Sequence, residues 1–169
     1  MELVLPDIGH KQAALDYRQE HFTNGETIIH GDGGLDSAAS YEVWLDKIRV
    51  DMTREVSEEY VPATVYFGMS DGVIIGTIQI RHKLNRRLLE TYGHIGYGVR
   101  PSERRKGYAT RMLALALEKC RDLGIDSVLI SCDKNNAGSA GTIKKNGGVL
   151  HNEFTEANGA VTQQYWVTL

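Results

Sequence analysis

The chain has 169 residues, 41% hydrophobic and 24% charged, with a formal net charge of −3. That length carries one domain with a substantial core, and the mildly acidic balance argues against a nucleic-acid coat, which needs a broad basic face. Cys120 and Cys132 are too few for a disulfide scaffold and lack metal-ligand spacing. The opening MELVLPD, with an early acid and a proline, does not read as a signal peptide, and the longest apolar runs, such as MLALAL, are too short to span a bilayer. No N-x-S/T site occurs; the cytoplasm is the simplest compartment.

In chain order, residues 11–22 read as a short helix stopped near Asn24 and Gly25. HGDGGLDSAAS is a Gly- and Ser-rich loop whose polar end can cap a helix through Tyr41, Val43, Trp44, Ile48 and Met52, running to about Glu59. The period then changes. TVYFGM and VIIGTIQI are β-rich runs separated by SDG, a hairpin signal. RHKLNRR, residues 81–87, is a basic cluster that reads first as a solvated loop. HIGYGV is a third extended run; Gly96 and Gly98 inside it require a bulge or a close backbone approach. After RPSERRKG, residues Ala109, Met112, Leu113, Ala116, Leu117, Cys120 and Leu123 fall on one helical face, and Gly124 ends the helix. SVLISC is a buried-type strand, residues 136–146 form another helix before Gly147 and Gly148, and GVLHNEF and TQQYWVTL flank EANGA as a closing hairpin. The order α-α-β-β-β-α-β-α-β-β is that of one mixed α/β domain with no internal linker.

The stretch RPSERRKGYATR joins a strand to a helix through three cations and a glycine. A helix start exposes unpaired N–H groups and the positive end of the dipole. Gly107 lets a ligand approach the backbone, and Arg104, Arg105 and Lys106 add positive charge. Together these suit a pyrophosphate; the other reading is a solvated charge cluster. G-x-x-x-x-G-K-[ST] is absent, and Gly93, Gly96 and Gly98 do not make G-x-G-x-x-G.

Arg104-Arg105-Lys106-Gly107-Tyr108-Ala109 resembles the [Q/R]-x-x-G-x-[G/A] signature of the GCN5-related N-acetyltransferase (GNAT) superfamily. It stands after a strand and a V-R-P turn and opens a helix, and Asn136, Ser139 and Gly147 are similar to that family's later asparagine, small residue and helix-ending glycine. The resemblance covers residues 63–154 well and residues 1–60 poorly. It implies a mixed, mostly antiparallel central sheet flanked by helices, and acetyl-CoA as co-substrate. Backbone amides of Arg104, Arg105, Lys106, Gly107, Tyr108, Ala109 and Thr110 would hold the pyrophosphate. The strand around Tyr97, Gly98 and Val99 would pair with the pantetheine amides, and Asn136 and Ser139 would bond the pantetheine or adenosine side.

Acetyl transfer to an amine requires that the amine lose a proton, since an ordinary lysine-type amine has a pKa of about 10.4. The family's base commonly lies on or near the fourth strand, where Glu90, His94 and Tyr97 are the local candidates. His94 alternates with Tyr97 unless a bulge resets the register, so the base is not fixed by sequence; a packed His94 and a solvated Glu90 are the plain alternatives. A backbone N–H on that strand is the natural donor to the carbonyl oxygen. The chain departs from the family where many members carry a tyrosine as general acid: here stands Ile143. Tyr97, Tyr108 and Tyr165 could supply a hydroxyl from elsewhere, or the thiolate leaves unaided.

DKNNAGSAGTIK mimics a calcium loop but fails at Ala137 and Lys144, and the six histidines lack H-x-x-E or H-E-x-x-H spacing, so no metal is expected. The first 60 residues are expected to serve the acceptor, a small-molecule or peptide amine. Its pocket would be walled by the loop at residues 31–40, the helix carrying Tyr41 and Trp44, and the strand near Tyr165, with core packing as the default for Tyr41 and Trp44. No nucleic-acid or membrane partner is expected, and a homodimer stays open. The alternative to an N-acetyltransferase is an acyl-CoA-binding or sensing module of the same fold with little turnover, kept alive by Ile143.

Overall fold

The structure, a computed structural model, describes residues 1–169. Two antiparallel sheets form its centre. The first runs β1 (Glu2–Val4), β2 (Ala63–Ser70), β3 (Val73–Arg81) and β4 (Ile95–Val99) in that order; the second runs β5 (Ser127–Asp133), β7 (Val161–Thr168), β6 (Val149–Thr155), with β7 central. Five helices flank them: α1 (Lys11–Thr23), α2 (Tyr41–Asp51), α3 (Arg86–Glu90), α4 (Tyr108–Asp122) and α5 (Ala137–Lys145).

Strand alternation divides the interior into two cores. On one face, Ile78, Ile80 and Ile95 meet the apolar stripe of α4 (Met112, Leu113, Ala116, Leu117, Cys120). Ile143 of α5 and Tyr165 of β7 join the same core. On the other face, Val65, Phe67 and Ile74 pack with α1 and α2 through Tyr17, Tyr41, Trp44 and Ile48. Tyr41 and Trp44 are therefore core and do not wall an acceptor pocket. The Tyr41 hydroxyl donates to Asp7 O at 2.6 Å, and Trp44 Nε1 donates to Asp32 O at 2.8 Å. Tyr165 is likewise fully buried.

Several expectations change in physical detail. The helix through Tyr41 ends at Asp51 and not near Glu59; the polar run that follows offers no apolar stripe, with Val56 exposed and Arg54 folded back onto Asp51 and over the Tyr60 ring. β1 and α3 are additions. β1 is a three-residue strand made by its pairing with β2, and α3 is one short turn capped by Asn85, which accepts from Leu88 N–H at 3.0 Å. β4 contains no bulge: it pairs with β3 in regular register from Ile80↔Ile95 to Gly76↔Val99, and the register shift lies in the β2–β3 pairing, where Gly68↔Gly76 is followed by Met69↔Ile74. Of the two readings of Gly96 and Gly98, close approach is the one realised. A Cβ at Gly98 would lie 2.7 Å from His30 O, and one at Gly31 would lie 2.3 Å from Gly96 O.

The two sheets meet at one bridge, Gly93↔Ile130, where His94 N–H donates to Leu129 O at 2.7 Å. Beyond it β4 pairs only with β3 and β5 only with β7. Gly93 has φ +68°, and a Cβ there would lie 2.3 Å from Leu129 O. Gly93→Ala should therefore combine left-handed strain with a backbone clash and cost about 2–4 kcal/mol. For a chain of this size the melting temperature should fall by roughly 5–15 °C, read by thermal denaturation against Gly159→Ala. That control also has positive φ, but its Cβ meets nothing within 4 Å.

Candidate active site

A cleft of about 870 Å³ lies beside β4, between the basic loop that follows it and α5. Arg100 N–H donates to Ile75 O at 2.8 Å, continuing the β3–β4 ladder. Antiparallel alternation then turns the N–H and C=O groups of Tyr97 and Val99 to the opposite edge, toward the cleft. Val99 O there accepts from Arg104 Nε at 3.0 Å.

The strand leaves through a 3-10 turn, Pro101–Glu103, into the basic loop. Arg105 has φ 65° and Gly107 φ 85°, and left-handed residues in such a turn draw successive N–H groups into a concave surface. Gly107 is the N-cap of α4, and no side chain caps it. The first bond of α4 is Arg111 N–H to Gly107 O at 3.2 Å, so the N–H groups of Tyr108, Ala109 and Thr110 lack acceptors within the helix. A Cβ on Gly107 would meet nothing within 4 Å. The surface is thus an open, amide-rich cradle at the positive end of a helix.

The cations divide. Arg104 is not a free phosphate ligand: its Nη2 donates to Glu26 Oε2 at 2.6 Å and its Nη1 to Glu26 Oε1. That guanidinium, first among several donors, holds the Glu26 carboxyl down to about 2. Lys106 pairs with Glu103 at 3.1 Å and stands off the cleft wall. Arg105 lines the wall, and Lys145 of α5 joins it from the other side. The loop is also braced from α1, where Glu20 Oε1 accepts from Ser102 N–H at 2.8 Å and Oε2 lies 3.0 Å from Arg100 Nε.

Across the cleft, Asn136 caps α5 by accepting from Ser139 N–H at 2.9 Å, which leaves its amide NH₂ uncommitted. Tyr97 reaches over from β4, its hydroxyl 2.8 Å from Ser139 Oγ; burial raises that phenol to about 12. Ile143 is fully buried against Gly148. Of the other tyrosines, Tyr108 lines the cleft, while Tyr165 is buried with its hydroxyl on Gln163 Oε1 at 2.7 Å.

The cleft brings together Tyr97, Gly98, Val99, Arg104, Arg105, Gly107, Tyr108, Ala109, Thr110, Asn136 and Ser139, and leaves out Lys106, Glu90 and His94. Glu90 ends α3 in solvent, paired with Arg86 at 2.9 Å. His94 is 6% exposed, and its Nδ1 accepts from Leu129 N–H at 2.9 Å. It is a clasp between the two sheets, with the lone pair that a base needs already spent. Burial, then the nearby Arg81 charge, lowers its pKa to about 4. Sequence reasoning missed Glu26, Ile28 and His30, which precede the loop assigned to the acceptor and line the cleft. Their signal was indirect: the glycines at 96 and 98 announced a crossing chain without saying which one. No group of three or more His, Cys, Asp or Glu side chains is placed to hold a metal ion, and no helix is long and apolar enough to cross a membrane.

The family model described as Acetyltransferase (GNAT) family matches residues 35–147. The chain belongs to the GNAT family. Solved GNAT relatives share its fold at low identity. The Salmonella typhimurium acetyl transferase that modifies the N-terminal serine of ribosomal protein L7/L12 is 15% identical, with a TM-score of 0.71 over 99% of this chain and 94% of that one. The Microcin C7 self-immunity acetyltransferase MccE, solved with acetyl-CoA and AMP, is 17% identical, with a TM-score of 0.69 over 99% and 91%. A spermidine N-acetyltransferase from Vibrio cholerae is 10% identical, with a TM-score of 0.69 over 99% and 95%. None of the curated proteins matches the sequence.

The clasp makes a pH prediction. The folded value of His94 lies below the ordinary histidine value of about 6.5. Its contribution is therefore complete above the unfolded value and is lost as pH falls toward the folded one, about 4. His94→Asn keeps a side-chain acceptor without a titrating group. The fall in melting temperature between neutral and acid pH should be smaller in His94→Asn than in the wild type; an identical fall in both would exclude His94 from the acid response.

Proposed function

We propose that the chain is an acetyl-CoA-dependent N-acetyltransferase that moves the acetyl group to a primary amine of a small molecule or peptide by direct attack. The observation that carries this reading is the convergence on one cleft of a free strand edge, at Tyr97 and Val99, and an uncapped helix start behind Gly107. The first offers the N–H and C=O of Tyr97 and the N–H of Val99 to a ligand that carries amides; the second offers N–H groups to one that carries phosphates. Acetyl-CoA has both, and it supplies the activated thioester. The backbone from Arg105 to Thr110 would take the pyrophosphate, the edge of Tyr97 and Val99 the pantetheine amides, and Asn136 the far side through its amide. Tyr97 N–H is the donor aimed at the carbonyl oxygen. The Tyr97 hydroxyl, beside Ser139, is the proton donor for the departing thiolate in place of the absent tyrosine at Ile143. The named acceptors of the structural relatives, a protein N-terminal serine and spermidine, are both amines. The sensing-module alternative rested on Ile143 and is not favoured once Tyr97 offers a hydroxyl in the cleft.

Two measurements test this reading. Gly107→Glu puts a carboxylate into the open cradle and should weaken acetyl-CoA binding at least tenfold by calorimetry, with the circular dichroism spectrum retained. Unchanged affinity would remove the pyrophosphate from this loop. Tyr97→Phe keeps the ring and the backbone donor and deletes only the hydroxyl. We expect kcat for thiol release to fall by about 10²-fold, the lower range for a proton-transfer group, with acetyl-CoA affinity unchanged.

A further inference from the structure

The cleft needs a group to deprotonate the incoming amine, and its wall offers three acid or imidazole side chains: Glu26, Glu103 and His30. Two are committed. Glu26 holds Arg104 with both oxygens and also bonds His21 Nδ1 at 2.8 Å. Glu103 pairs with Lys106 at 3.1 Å. The imidazole of His30 is exposed and has neither a hydrogen-bond nor an ion-pair partner.

Its backbone, by contrast, is pinned. His30 O accepts from Thr77 Oγ1 at 3.2 Å, and beneath it lies Gly98, where a Cβ would come within 2.7 Å of His30 O and 3.5 Å of His30 N. The next residue, Gly31, sits against the same strand: a Cβ there would lie 2.7 Å from Tyr97 Cα. The free imidazole thus springs from a chain segment seated on the strand that carries the Tyr97 and Val99 edge. A neutral imidazole carries one ring nitrogen that can accept a proton while the other keeps its own.

We propose that His30 is the proton acceptor for the amine substrate, an assignment that rests on the acetyl-transfer reading above. His30 takes one of the three ammonium protons. The freed lone pair forms the N–C bond as the C–S bond breaks. The thiolate takes a proton from the Tyr97 hydroxyl, which the second proton leaving the nitrogen restores, and His30 releases its proton to water. Amide, thiol and one proton result, and no other reactant is needed. The titratable groups that share the wall are the paired Glu26, Glu103 and Arg104, the cations Arg105 and Lys145, and the phenols of Tyr97 and Tyr108.

The test uses the full chain, acetyl-CoA, and a panel of amino acids, polyamines, aminoglycosides and peptide N-termini, with thiol release as the readout. On the best acceptor, His30→Gln and His30→Ala should lower kcat by about 10²-fold or more while leaving the acetyl-CoA dissociation constant and the melting temperature unchanged. The loss should shrink as pH rises and free amine accumulates, and added imidazole should partly restore His30→Ala. A His30→Gln variant with wild-type kcat and pH profile overturns the assignment while acetyl-CoA binding stands. A wild type that binds acetyl-CoA but acetylates no amine overturns both this assignment and the transferase reading, and a wild type that binds no acetyl-CoA removes the reading beneath it.

Discussion

Everything at the site follows from one backbone constraint: β4 has a hydrogen-bonded neighbour on one edge only. At Gly93 the chain reaches across to Ile130, and two residues later it has turned away. β5 cannot follow, because its other edge is paired with β7 along seven register positions, from Ser127↔Thr168 to Asp133↔Thr162. The α4–α5 core packs beneath both strands and keeps the gap from collapsing. Buried or half-buried N–H and C=O groups demand partners. A strand edge held open in this way has a standing demand for a ligand that carries its own amides.

The first 60 residues do more for the cofactor side than their weak resemblance to the family suggests. Glu20 and Glu26 come from α1 and the segment after it, and they hold the turn at Ser102 and the guanidinium at Arg104. The Glu26 pair is partly exposed, so its net worth to stability is small. Its bidentate geometry nevertheless fixes where the loop stands. With Glu26 ionised down to about 2, the pair persists across the working pH range. It also cancels the charge of Arg104. Anion attraction at the loop therefore comes chiefly from oriented amides and the helix start, with Arg105 and Lys145 as the uncancelled cations on the wall.

This explains what was legible in the sequence. The helix from Tyr108 to Asp122 could be read because its apolar period and its glycine start state the same thing locally. The loop at Arg104 to Gly107 could be read because its residue types serve one short stretch of backbone. The ion pair that occupies the Arg104 guanidinium was not legible because its partner lies 78 residues away in sequence, a distance that no local pattern spans. His94 offered the same difficulty. A histidine beside a cleft strand reads as chemistry until Leu129 N–H is found on its ring nitrogen. Tyr41 and Trp44 looked like acceptor lining because an aromatic pair on one helix face serves a pocket and a core equally well. Contacts with α1 and β2 decided for the core. The short elements β1 and α3 depend on partners and on one cap, so no period announced them.

The sequence Gly96-Tyr97-Gly98 gathers these threads. Side chains along a strand alternate between faces, and here the alternation has a chemical use. The face at 96 and 98 carries no side chains, and His30 and Gly31 lie directly on it. The opposite face carries Tyr97, which packs against the α4 core and extends to Ser139 on α5. Between them runs the free edge with its N–H groups. The residue proposed to take the amine proton and the hydroxyl proposed to serve the thiol thus stand on opposite faces of a five-residue strand, and the N–H proposed as donor to the carbonyl oxygen lies on the edge that separates them. An acyl carbon held at that edge is open to attack from one side and loses its thiolate toward the other. Gly98 is what allows the attacking side to come so close, since a methyl group there would lie 2.7 Å from His30 O and lift that segment off the strand.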